Sequence, residues 1–95
     1  MSLDKNIEIR KIRRKLDNLD NKLLDIIKIR TSLVHKILKN KKTKNQIIDR
    51  KRINMILKNI KKKSIKKKID TELTKRIWSS MIKAYINFEY RKFKK

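Results

Sequence analysis

The 95-residue sequence contains no cysteine, no glycine and no proline, and a single histidine, His35. Each absence closes a class of function. Without cysteine there is no disulfide frame, no thiolate zinc site and no thiol nucleophile, and one histidine cannot build an imidazole metal site. Without glycine there is no phosphate-cradling loop and no dinucleotide fingerprint, because both need glycines where the backbone approaches phosphate. Tight two-residue hairpins favour glycine at positive φ, which argues against an all-β fold. Negative charge is scarce too: 31 Lys and Arg face 9 Asp and Glu, a formal net charge of +22 at pH 7. Charges break every apolar stretch within a few residues, so no run is long enough to span a bilayer and no membrane partner is expected. The opening Met1-Ser2-Leu3-Asp4-Lys5 lacks the apolar core of a secretory signal. Its first three residues are compatible with a cloning remnant. Together with the missing cysteines, this places the expected location in the cytoplasm.

What the chain does have is Ile, Leu and Lys. The basic excess is mostly Lys (23, against 8 Arg), beside 17 Ile and 8 Asn. These three residue types share A/T-rich codons, so genomic drift accounts for much of the charge as readily as selection for a polyanion. The length allows one domain, 1–95, with a small core, and a monomer of this size buries only about 60 to 65% of its unfolded surface. Self-association would add to that.

Apolar residues from Ile9 onward fall at Ile12, Leu16, Leu19, Leu23 and Ile26, then skip to Leu33 and Ile37. Steps of three and four are the helical period, sustained here over about four heptads. A helix from about Asp4 to Asn40 would be roughly 55 Å long. It cannot bury its apolar face inside a 95-residue monomer, so a partner chain is expected. Residues 40–45 carry no apolar side chain and read as a loop. A second periodic stretch runs from Ile47 through Ile53, Ile56, Leu57 and Ile60 and is expected to end near Ser64, with Ile65 to Ile69 as a connection. Asp70 or Thr71 then offers an N-cap, with Glu72 in the first turn of a third helix carrying Leu73, Ile77, Trp78, Met81, Ile82, Tyr85, Ile86 and Phe93. The expected fold is all-α, with one long, one short and one medium helix.

Charges on these apolar stripes are the informative residues, because a charge facing a core needs a partner. The skip in the first helix is Arg30, and Lys41 continues the series eleven residues later, only about 20° around the axis. Arg13 lies about 100° from Arg30 by the same count, so its copy on a second chain, and not the same straight helix, can share their pocket. Asp49 and Arg52 flank the second stripe, and the third continues through Tyr85 to Glu89. Each has a plain structural alternative. Arg30 can pair with Glu89 or Asp49, Lys41 can snorkel at a helix end, Arg13 can be a solvated charge, and Asp49 can serve only the helix start. Taken together, inward cations outnumber acids, which points to an anionic ligand.

The residues Ile9-Arg10-Lys11-Ile12-Arg13-Arg14-Lys15-Leu16-Asp17-Asn18-Leu19-Asp20, followed by Leu23-Leu24, Ile27, Arg30, Leu33-Val34 and Lys41, resemble the first helix of the all-helical chorismate mutases. Asp49 with Arg52 is similar to the start of that family's second helix, and the third helix aligns through Trp78 and Ile82. The resemblance spans about Ile9 to Phe93. It implies an intertwined homodimer of three-helix chains that rearranges chorismate, a dianion, to prephenate in aromatic amino-acid biosynthesis, with no metal and no cofactor. It further implies that Arg13 from the other chain and Arg30 clamp the carboxylates, that Lys41 donates to the breaking ether oxygen, and that Asp49 and Arg52 hold the ring hydroxyl side. Arginine suits carboxylates through its two-pronged geometry, and lysine suits a single developing charge. The catalysis would be positioning and charge stabilisation, without a nucleophile or base.

Three positions depart from the family pattern. Ile53 stands where a glutamate usually follows the arginine, Tyr85 stands at a position often small, and Glu89 stands where glutamine commonly donates to the ether oxygen. A glutamate donates only when protonated, so in that role it would make activity fall as pH rises. Ile53 and Tyr85-Ile86 are also similar to the isochorismate-pyruvate lyases, which makes isochorismate the alternative substrate. A nucleic-acid binder is the non-enzyme alternative, given the charge and the aromatics Trp78, Tyr85, Phe88, Tyr90 and Phe93. Their helical spacing fits a core or interface, and no recognised motif is present, so no specific nucleic-acid partner is expected. His35 is expected to be exposed and without catalytic duty.

Overall fold

A computed structural model describes residues 2–94. Met1, part of the expected cloning remnant, lies outside them. The described residues form three α-helices and no strand: α1 (Ser2–Lys39), α2 (Arg50–Lys66) and α3 (Thr71–Lys92), with a short 3-10 turn at Lys44–Gln46 between the first two. The all-α class and the one-long, one-short, one-medium order follow the apolar periods.

Helix ends are set by local polar chemistry. Asn40 closes α1 by donating its side-chain amide to the Lys36 carbonyl at 2.9 Å. In the loop, the Gln46 Oε1 accepts from the backbone N–H of Thr43 at 3.2 Å, and the Gln46 N–H returns to the Thr43 carbonyl. Asp49 caps α2 and Asp70 caps α3, each accepting a backbone N–H three residues on, from Arg52 and Leu73, at 3.0 Å.

Helix α2 runs past the expected stop near Ser64 to Lys66. Its end is a Schellman turn: the Ile69 N–H bonds the Ser64 carbonyl at 2.9 Å and the Lys68 N–H bonds the Ile65 carbonyl at 3.1 Å. The residue that turns the chain is Lys68, at φ 59°. That left-handed position usually belongs to glycine, and a chain without glycine gives no such stop signal. The connection therefore shrinks to residues 67–70.

The chain falls into two compact units, residues 1–34 and 35–95, which share α1. In the first, the apolar row Ile9, Ile12, Leu16, Leu19, Leu23 and Ile26 is exposed along its length. In the second, α2 and α3 pack together as a hairpin. Near its closed end the buried hydroxyls of Ser64 and Thr74 meet at 2.8 Å. The Ser64 hydroxyl also reaches the Ile60 carbonyl at 2.7 Å and the Thr74 hydroxyl the Thr71 carbonyl at 3.3 Å, so each has a carbonyl acceptor besides its partner. Among the described residues only two apolar side chains are buried, Leu38 at 4% and Ile47 at 3% exposure.

Candidate functional site

Lys41 lies two residues beyond α1, held there by its backbone N–H on the Leu38 carbonyl at 3.0 Å. Its ammonium donates to Glu89 Oε1 at 2.9 Å and to the Ile47 carbonyl at 3.4 Å. Glu89 comes from the last full turn of α3 and is 7% exposed, the one buried acid among the described residues. The pair therefore sits beside the two buried apolar side chains, Leu38 and Ile47. Burying such a pair gains little stability, because desolvating two charges offsets most of their attraction. A half-buried lysine held by a buried glutamate is suited to binding an anionic group.

The stripe argument located Glu89 and Lys41 separately, and the structure pairs them with each other. Residues 41 and 89 are 48 apart in sequence, and the spacing on either helix carries no sign of the match.

Asp49 is exposed, and one of its oxygens, Oδ1, is committed to the cap of α2. The plain reading of Asp49 as a helix-start residue accounts for that oxygen. It lines an open cleft of about 560 Å³ with Lys41, Gln46, Ile48 and Arg50. Arg50 had no pattern signal, since it neighbours an apolar stripe without interrupting it. Arg52 is exposed on the first turn of α2. Tyr85 is half-buried one turn before Glu89, its ring edge-on to Phe88 with centroids 6.2 Å apart. In the N-terminal unit Arg13 is exposed and Arg30 half-buried. Ile53, next to Arg52, is half-buried on α2, as an apolar side chain there should be.

His35 is half-buried, not exposed as its neighbours Val34 and Lys36 suggested. It lines a second cleft, with Leu38 and Lys41, against the C-terminal end of α3. The helical period places His35 beside Leu38, one turn on and the best-buried side chain of α1, and that was the available signal for its burial.

No helix of the described residues is long and apolar enough to cross a membrane. A family model described as chorismate mutase type II matches residues 12–90. That stretch runs from the first third of α1 to the last turn of α3, and Arg13, Arg30, Lys41, Asp49, Arg52, Tyr85 and Glu89 all fall inside it. No curated protein and no solved structure matches the chain significantly.

Proposed function

The chain belongs to the chorismate mutase type II family, and we propose from that membership and from the Lys41–Glu89 contact how its own residues serve the reaction. The family is one of isomerases, and the activity is the pericyclic rearrangement of chorismate to prephenate. One bond, between carbon and the ether oxygen, breaks as a carbon–carbon bond forms within the same molecule. The protein's task is to hold the enolpyruvyl arm over the ring and to stabilise charge developing on the ether oxygen.

Lys41 is the residue we assign to that oxygen. An ammonium has three N–H donors, and Glu89 and Ile47 take two, which fixes the side chain and leaves the third for substrate. Glu89 in this state is a positioning residue for Lys41. As a carboxylate it cannot donate to the ether oxygen, and its negative charge opposes the charge that develops there. Arg13 and Arg30 take the two substrate carboxylates, and Asp49, Arg52 and Tyr85 line the ring side.

The working form we propose is a homodimer in which both units of each chain act as one domain, 1–95, and Arg13 reaches the pocket across the interface. Support comes from the exposed apolar row of α1 and from a core that, among the described residues, buries only two apolar side chains. A cytoplasmic location goes with this reading.

The observation that carries the assignment is the Lys41–Glu89 pair, with its glutamate buried, inside the matched region. The test is direct: purified protein is incubated with chorismate and, in parallel, with isochorismate, and the products are identified. Prephenate from chorismate is expected. Pyruvate from isochorismate, with chorismate untouched, would reassign the chain to the lyases.

A further inference from the structure

Beyond the Lys41–Glu89 pair lies the cleft that His35 lines, with a volume of about 360 Å³. Its walls are Lys39 and Lys41 from the α1 end and Lys92 and Lys94 from the α3 end. Its apolar surface is Leu38, which is buried, and the half-buried ring of Phe93. No acidic side chain lines it. Phe93 is seated by its backbone N–H on the Glu89 carbonyl at 2.9 Å, so the aromatic wall is tied to the same turn that carries the buried glutamate.

From these features we infer that the cleft binds a small aromatic monocarboxylate. The ammonium groups of Lys92 and Lys94, with the remaining donor of Lys41, beside a leucine and a phenyl ring match a ligand with one anionic end and one flat apolar end. The volume falls in the range of small-molecule sites. An inorganic anion would leave the apolar wall unused, and an aliphatic acid would leave the ring unstacked. Because Glu89 and Ile47 take two of the Lys41 donors, an occupant's carboxylate takes the third, the one left for substrate. Occupancy therefore lowers turnover. This regulatory half rests on the proposed role of Lys41 in chorismate rearrangement, whereas the binding half does not.

The probe is phenylacetate, titrated by calorimetry into the full-length chain. Lys92→Ala combined with Lys94→Ala is expected to weaken phenylacetate binding by about tenfold or more, to leave turnover at saturating chorismate unchanged, and to relieve inhibition by phenylacetate. Acetate is expected to bind at least about tenfold more weakly than phenylacetate, through loss of the ring contact. Arg30→Ala is expected to abolish turnover while leaving phenylacetate affinity intact, which separates the cleft from the substrate pocket. Unchanged phenylacetate affinity in the double lysine variant would overturn the proposal. So would equal affinity for acetate, or loss of binding in Arg30→Ala. Phenylacetate binding in a chain that rearranges no chorismate would leave the cleft standing and remove the mutase reading; turnover without phenylacetate binding would do the reverse.

Discussion

At the scale of single residues, Lys41 and Glu89 separate stability from catalysis. Removing the cation alone, in Lys41→Met, leaves a carboxylate that is 7% exposed without its ion-pair partner. The expected cost is about 2–3 kcal/mol, below the range for fully buried pairs because the lysine keeps some access to water. The same variant is expected to lose about 10²-fold or more in kcat, the usual effect of deleting one donor to a developing oxyanion. Lys41→Met with Glu89→Leu removes both charges. Chemical denaturation is expected to show stability restored in this double variant, while the chorismate assay shows activity still lost. Recovery of activity along with stability would mean that Lys41 has no part in the chemistry.

Glu89→Gln tests the other partner. Glutamine keeps the shape, accepts from Lys41 through its carbonyl and brings N–H donors of its own. The substitution removes the negative charge that opposes charge developing on the ether oxygen while keeping an acceptor for Lys41, so turnover of chorismate is expected to be retained or raised. A loss of turnover as large as that of Lys41→Met would show that a neutral acceptor cannot hold Lys41 in place.

At the scale of elements, helix ends matter more than helix interiors. The turn that ends α2 depends on Lys68 at φ 59°, where a side chain meets steric cost that glycine avoids. Lys68→Gly is expected to stabilise the fold by about 0.5–1 kcal/mol, read as a shift of the urea midpoint without a change in slope. Asp70→Ala, which removes the cap on the Leu73 N–H, is expected to cost about 1 kcal/mol by the same measurement. The Glu72–Arg76 pair at 3.0 Å on the next turn is exposed at both ends and adds a few tenths of a kcal/mol at most. The Ser64–Thr74 pair bears on the hairpin in another way. It is a polar contact at a point where two helices close, fully satisfied, and specific to one register of α2 against α3.

At the scale of the whole molecule, the exposed row from Ile9 to Ile26 on α1 sets the strongest expectation. A contiguous exposed apolar stripe of this length marks an interface. Leu16→Glu with Leu23→Glu places two charges on it. In sedimentation, the native chain is expected to run as a dimer and this variant as a monomer with less helix. A native chain that sediments as a monomer would remove the role proposed for Arg13 from the other protomer. The charge of +22 is a property of the same scale. It attracts a dianion without selecting it, so KM for chorismate is expected to rise with ionic strength while kcat changes little.

The helices were legible in the sequence because helix formation is local: a period of three and four, capping aspartates at 49 and 70, and a loop without apolar residues all act within a few positions. The charged residues on the stripes were legible for the same reason, and Glu89 was found buried. The end of α2 was not, because the turn that stops it falls on a lysine in a chain lacking the residue that normally marks such turns. Nor was the partner of Glu89. Whether Glu89 meets Arg30 or Lys41 is not written in either helix's period, and only tertiary packing fixes a contact across 48 residues. The same packing half-buries His35 and sets it in a lysine-walled cleft. The sequence by itself therefore determined an all-helical chain whose chemistry runs on positioned charge, since it holds no cysteine, glycine or proline for other devices. The tertiary structure decided which charges face each other, because electrostatic pairing depends on distance in space and periodicity specifies only direction around an axis.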